Sequence, residues 1–293
     1  RDSAKLPLGG FGISRFALDF YLYKKAIANG CSILQEEVED VVFDCNTFTT
    51  TTTNGSILKS EIVIGASGKR SNIDLRLNRK FIQQKSPWLA VKAHYKGDFP
   101  NDLVGLHNFK GGYCGVSKVE KDLLNICYLV QYEAFKEYKN TIDFQNLVLK
   151  QNPHLNEIFE NSKMVFEKPL TISQISFEKK DAVENHILMC GDSAGMIHPL
   201  CGNGMSMAIQ SAQMASKLIL NYFNGELNSR NELEKQYIRD WNRKFSFRLK
   251  TGHFIAMLFR KDKIAAVLLQ VLKKLPFLMP IIIKQTHGKL MKI

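Results

Sequence analysis

The sequence contains no Cys-x-x-Cys pair, and its six cysteines nowhere combine with histidines at the spacing of a zinc site. A structural metal is therefore not expected. No apolar h-region opens the sequence, so nothing in it reads as a secretory leader. Together these absences predict a reduced, cytoplasmic setting. Cys31, Cys45, Cys114, Cys127 and Cys190 read as small buried hydrophobes. No apolar run reaches the roughly 20 residues that a helix needs to cross a bilayer. Paired acid and base residues at a catalytic spacing are missing too. What is present is the balance of a globular chain, with 45% hydrophobic and 23% charged residues, which excludes disordered and fibrous classes. At 293 residues there is room for one large domain or two ordinary ones.

Local patterns place the elements. Phe16, Phe20, Tyr23 and Ile27 recur at helical spacing between a Ser14 N-cap and Gly30, which predicts a helix over 14–29. Strand-like runs over 31–44, 47–53 and 56–59, the last two separated by Asn54-Gly55, predict a small antiparallel meander. Ile62-Val63-Ile64 is a buried strand that runs into the turn Gly65-Ala66-Ser67-Gly68. Between 87 and 131 four strand patterns predict an antiparallel sheet. The segment 133–152 reads as mostly helical and ended by Pro153, and 170–177 as a returning strand.

The stretch that carries chemistry is HILMCGDSAGMIHPLCGNGMSMAIQSAQMASKLI, residues 186–219. A short apolar strand, Ile187 to Cys190, delivers Gly191 and Asp192 at its C-terminal end. In open α/β sheets ligands sit at such ends, and an acidic residue there can accept hydrogen bonds from sugar or ribityl hydroxyls. After a loop containing Pro199, a long helix begins near Gly202-Asn203-Gly204. Glycines let a flat ring approach the backbone, and the helix start offers unpaired N–H groups with partial positive charge. Ala208, Ala212 and Ala215 are small and helically spaced, which predicts close packing on the sheet.

GDSAGMIHPLCGNGM resembles the "GD … P-x-x-G-x-G" motif of FAD-dependent oxidoreductases related to p-hydroxybenzoate hydroxylase and geranylgeranyl reductase. In that superfamily the Asp binds the ribityl chain and the glycine-rich helix start faces the isoalloxazine. The resemblance therefore implicates Gly191, Asp192, Pro199, Gly202, Asn203, Gly204 and Met205. IGASG is similar to the second signature of the superfamily, usually Ala-Asp-Gly, and adds Gly65, Ala66 and Gly68, with Ser67 standing where the Asp would be. SRFALDFYLYKKAIANG resembles the Arg-containing helix, and Arg15 is the matching position. The three segments come in family order over about residues 12–220.

The superfamily opens with a strand, G-x-G-x-x-G and a helix that hold the FAD pyrophosphate. No G-x-G-x-x-G occurs here, so the expectation is that an N-terminal βαβ segment is absent from this chain. The resemblance implies a mixed α/β (α+β) fold. An FAD-binding Rossmann-like domain, incomplete at its N-terminus, would hold residues 1–80 and 179–228. An inserted antiparallel substrate domain would span 81–178, and a C-terminal helical region 229–293. It implies FAD as cofactor and NAD(P)H as electron donor.

In flavoenzymes the cofactor does the difficult step and the protein positions and polarises. His198 as proton donor and Cys201 as a low-pKa thiol at a helix start are the candidates for contact with the reacting ring. His94, His107, Tyr113 and Tyr128 are candidate pocket residues. The reaction expected is monooxygenation of a hydrophobic small molecule: aromatic, polyketide or isoprenoid. Reduction of isoprenoid double bonds is the alternative within the superfamily, and Gly-Asn-Gly, where the reductases carry an acidic residue, favours the first. A non-catalytic, lipid-surface-binding remnant is the alternative of another class.

Charge is uneven. Residues 229–293 carry 15 Lys and Arg against 4 Asp and Glu, so +11 of the net +12 sits there. Tyr237, Trp241, Phe245 and Leu249 recur at four-residue intervals, and 264–275 is apolar with a polar stripe of Gln270 and Lys274 flanked by Lys263. Such a basic amphipathic end predicts either packing on the substrate domain or peripheral contact with a membrane. No nucleic-acid-binding fold accompanies the charge.

Overall fold

The computed structural model describes residues 3–6, 9–84, 86–259, 270–271, 274–275 and 277–287. Helix and strand are mixed, with three separate sheets. The chain divides into two compact units. The first holds residues 1–7, 35–85 and 176–293, and the second 8–34 and 86–175. The contacts thus group the Arg-containing helix with the antiparallel sheet, and the C-terminal helices with the strand–turn motifs.

Helix α1, Arg15–Ala28, belongs to the second unit and starts as expected: Ser14 Oγ accepts the Ala17 amide. Its aromatic stripe is exposed rather than buried, with Phe16 81% accessible. In the first unit, β1 (Val38–Asp44), β2 (Thr47–Thr52) and β3 (Ile57–Ser60) form the expected meander in that order. The first strand starts at Val38, later than the β-forming residues of 31–37 suggest. Cys45 and Asn46, both at positive φ, close the β1–β2 hairpin, a two-residue turn that Asn tolerates well. Strand β4 (Ile64–Gly65) and helix α2 (Asn72–Arg76) follow. The helix is held by a capping box in which the Asp74 carboxylate accepts from both the amide and the hydroxyl of Ser71.

The second unit is built on β5 (Trp88–Gly97), β6 (Val104–Phe109), β7 (Gly112–Lys118) and β8 (Leu123–Gln131). Between 131 and 161 the chain makes three short helices, α3 (Tyr132–Phe135), α4 (Thr141–Leu147) and α5 (Pro153–Glu160), instead of one long helix. Pro153 opens α5 rather than closing a helix. It sits in the first turn, where its missing N–H costs nothing, and Asn152 Oδ1 caps His154 and Leu155. Strands β9 (Ser162–Met164) and β10 (Leu170–Ile172) complete a sheet ordered β10-β5-β8-β7-β6 with β9 on β5. The returning strand stops at Ile172. One sheet face packs Val91, Cys114, Ile126 and Tyr128 against Phe144, Leu149, Leu155 and Phe159 of the helical segment.

Back in the first unit, β11 (Val183–Glu184) and β12 (Ile187–Met189) join β4 in a sheet ordered β11-β12-β4. Helices α6 (Gly204–Phe223) and α7 (Arg230–Phe259) follow, and α8 spans Leu278–His287. Leu233, Tyr237, Trp241 and Phe245 are all buried and join Ile187, Leu188, Ala215 and Leu218 in the core, so the four-residue rhythm of α7 is a packing face. Tyr237 donates to the Met189 carbonyl at 2.6 Å, fixing α7 to β12. Of the small residues on α6, Ala208 and Ala215 face inward while Ala212 is exposed. The inner stripe runs instead through Met207, Ser211, Ala215 and Leu218. Most of the 264–275 stretch lies outside the described residues. Among those described, no helix is long and apolar enough to cross a membrane.

Candidate functional site

Strands β4 and β12 are parallel neighbours, with Leu188 opposite Ile64 and Met189 opposite Gly65, and the Cys190 amide donates to Gly65 O at 2.9 Å. Parallel strands end on the same side, so both turns, 66–68 and 191–193, leave one edge of the sheet. A Cβ at Gly65 would fall against the Met189 and Ile187 side chains of β12, so the two strands pack closely there. Ser193 joins the turns. Its hydroxyl accepts from the Gly68 amide at 2.9 Å and lies 3.3 Å from Ser67 Oγ. The position expected to hold an acid in the second signature thus carries a hydroxyl directed at its neighbour turn.

Two buried cations brace the same place. Lys180 Nζ donates at 2.8 Å to Lys69 O and at 2.8 Å to Asp192 O, one carbonyl on each side. Burial pushes this ammonium down to about 8, with Asp74 and Asp192 opposing the shift and Arg79 adding to it. Arg79, 3% exposed, donates to Asp74 Oδ1 (2.9 Å), Ser193 O (2.9 Å) and Asp181 O (3.2 Å), with Glu184 3.4 Å from its Nε. Sequence reading missed Asp74, Arg79, Lys180 and Ser193. The Ser-x-x-Asp capping box at 71–74 and the hydroxyl beside Gly-Asp were the available signals, and the two cations left none.

The helix that follows is docked through the second of these turns. Gly191 donates its amide to Ser211 Oγ at 2.9 Å, and a Cβ on Gly191 would stand 3.0 Å from that of Ala208. Pro199 and Cys201 bound a 3-10 turn, and Gly202 then adopts a left-handed conformation (φ 62°), where glycine is favoured. Asn203 precedes α6 without a side-chain cap bond, so the first amides of a 20-residue helix receive none from it. Gly202 and Met205 are exposed and Asp192 is half-buried. A Cβ on Gly204 would meet nothing nearer than Asp192 Oδ1 at 3.9 Å, so the fold itself does not demand glycine there.

The structure thus brings Gly65, Ala66, Gly68, Gly191, Asp192, Pro199, Gly202, Asn203, Gly204 and Met205 into one unit. Arg15 lies in the other, where it pairs with Asp19 at 3.0 Å. The acid–base reading of His198 is corrected. The side chain is buried against Phe177, ring centroids 4.7 Å apart, and accepts the Leu200 amide at Nδ1. Burial, aided by His253, pushes it down to about 4, so it is neutral at pH 7 and a weak proton donor. Unfolded histidine titrates near 6.5. The unfolded chain therefore takes up this proton first, and stability present above pH 6.5 is lost as pH falls toward 4. His198→Gln should flatten the acid side of the unit's stability curve by about 2–4 kcal/mol between pH 7 and 4, measured by urea unfolding. An unchanged curve would remove His198 as its source.

Cys201 is corrected likewise. Its thiol packs toward Gly252, whose added Cβ would lie 3.1 Å from the sulfur, and burial pushes it up to about 11, the opposite of an activated thiol. Cys31 and Cys45 are exposed, contrary to the expectation of burial. Iodoacetamide at pH 7.5 should label these two roughly a hundredfold faster than Cys201, read by peptide mass mapping. Equal rates would contradict this assignment. In the second unit, strand register puts Tyr128 and His107 opposite Cys114, on the face packed by helices, and His94 and Tyr113 on the other. Only the latter pair remain candidates to meet a substrate.

A family model described as squalene epoxidase matches residues 146–255. Conditioned medium factor receptor 1 of Dictyostelium discoideum is 25% identical over 268 residues, covering 84% of this chain. The chain spans about half (49%) of the length of that curated relative. Among solved structures, the flavin-dependent brominase Bmp2 is 19% identical with a TM-score of 0.73, over 94% of this chain and 70% of that one. The flavin-dependent halogenase CmlS is 18% identical with a TM-score of 0.69, over 82% and 45%. A flavoprotein/dehydrogenase from Cytophaga hutchinsonii is 16% identical with a TM-score of 0.66, over 86% and 63%. The structural likenesses show the flavoprotein fold. With the matching family model they bear out the resemblance to the FAD-dependent oxidoreductase superfamily.

Proposed function

We propose that this chain, which has the fold and signature segments of the FAD-dependent oxidoreductases related to p-hydroxybenzoate hydroxylase, forms the isoalloxazine and ribityl side of an FAD site in a monooxygenase-type enzyme. The observation that carries this reading is the pair of turns at the ends of parallel β4 and β12, joined by Ser193 and Lys180 and followed by the start of α6. The residues fit the cofactor. Asp192 can accept ribityl hydroxyls, the amides that open α6 favour the electron-rich pyrimidine edge, and Gly202 and Gly204 present bare backbone at the helix start. Bound there, FAD supplies the redox chemistry.

The protein's own part is to bind and orient. Arg79 and Lys180 keep the two turns in register, and buried, neutral His198 shapes the loop that leads from the second turn to α6 rather than moving a proton. The substrate proposed is a hydrophobic small molecule, supported by the match to a family named for squalene, a hydrocarbon. NAD(P)H is the proposed electron source. The reading is tested by supplying the flavin-loaded protein with NADPH, a panel of isoprenoid and aromatic compounds and isotopically heavy oxygen gas. Product carrying one heavy oxygen atom supports monooxygenation. Product gaining only two hydrogens would replace it with the reductase chemistry of the same superfamily.

A further inference from the structure

The buried stripe of Leu233, Tyr237, Trp241 and Phe245 accounts for one face of helix α7. On the opposite side Lys235, Arg239, Arg243, Phe247, Lys250 and Phe254 are all exposed. Their spacing of four, four, four, three and four residues keeps them within a sector of about 120° at 3.6 residues per turn. Phe247 is 61% and Phe254 55% accessible, and Phe277, beside α8, is 60% accessible. Exposed aromatics in such a row are costly in water and mark a surface that meets something. Two acidic residues accompany it: Glu232, in line with it at the N-terminal end, accepts the Asn228 amide, and Asp240, at its edge, accepts from Gln236 and from Arg243 of the stripe itself.

We propose that this stripe of α7 seats the protein on the surface of an anionic phospholipid bilayer. The partner follows from charge complementarity. The region 229–293 carries +11 of the chain's +12, and this face sets four cations and two aromatic rings along one line, the arrangement of a helix lying in a headgroup layer. Lys and Arg stems lie along the apolar surface while their heads reach phosphate. Among the described residues no helix is long and apolar enough to span a membrane. This inference stands independently of the flavin reading.

The test is flotation of the full chain with vesicles of phosphatidylcholine containing 30% phosphatidylserine, beside pure phosphatidylcholine. The expected result is binding to the anionic vesicles that is released by 0.5 M salt. Phe247→Ser with Phe254→Ser should lower partitioning at least tenfold. Each of Lys235→Glu, Arg239→Glu and Lys250→Glu should lower it about fivefold or more. Phe223→Ser, at an exposed ring on α6, should leave it unchanged and controls for general loss of surface apolarity. Circular dichroism confirms that each variant is folded. No binding to anionic vesicles at low salt, equal binding by the stripe variants, or binding to duplex DNA without binding to vesicles would each overturn the proposal.

Discussion

Arg79→Ala is expected to destabilise the first unit by about 3–5 kcal/mol, because it leaves the Asp74 carboxylate buried without its cation. Both partners are almost inaccessible, and the guanidinium also satisfies the carbonyls of Ser193 and Asp181. Lysine should not rescue the loss. One ammonium cannot reproduce a fork that reaches four groups on α2, the Gly-Asp-Ser turn and the approach to β11. Asp74→Asn in the alanine background should recover part of the stability by removing the stranded charge. A thermal or urea midpoint that moves by less than the equivalent of about 1 kcal/mol in Arg79→Ala would show that the pair does not hold the turns.

Gly204→Ala separates structural from ligand demands on glycine. Space exists for the methyl group and the backbone is helical, so the variant should fold as well as the parent or gain about 0.5–1 kcal/mol. If a flavin ring lies against the helix start, the same methyl group should weaken FAD binding at least tenfold. Gly202→Ala is the contrasting case. Nothing would touch its Cβ, yet its left-handed backbone makes the change costly whatever binds. Unchanged flavin affinity in a fully folded Gly204→Ala would take the ring away from α6.

Much of this architecture was legible because its signals are local. Ser14 capping α1, the Asn54-Gly55 hairpin, the alternation in β5 to β8 and the four-residue rhythm of α7 depend on neighbours within one element, and each appears where the sequence places it. Boundaries failed where two local rules competed. Pro153 both forbids a helix interior and favours a first turn, and tertiary packing selected the second role. The Gly-Asp and Gly-Asn-Gly segments were visible as breaks between a strand and a helix. Their bracing was not, since Lys180 and Arg79 reach the turns across 12 and 114 positions of chain. The chemistry of His198 and Cys201 also lay beyond reach. A loop histidine or cysteine reads as reactive until burial, which no spacing reveals, moves it the other way.

The central claim is that Asp192 and the two turns hold a flavin. It is tested most directly by titrating FAD into the protein, followed by flavin fluorescence quenching and visible absorbance, for the parent chain and for Asp192→Ala. Both should be run as residues 1–293 and with any sequence encoded upstream of Arg1 added. The account predicts saturable binding by the parent, in at least the longer form, weakened roughly 10- to 100-fold by Asp192→Ala through loss of a charged hydrogen-bond acceptor. Binding by neither form, or equal affinity in the variant, would contradict it and leave the glycine turns as structural features alone.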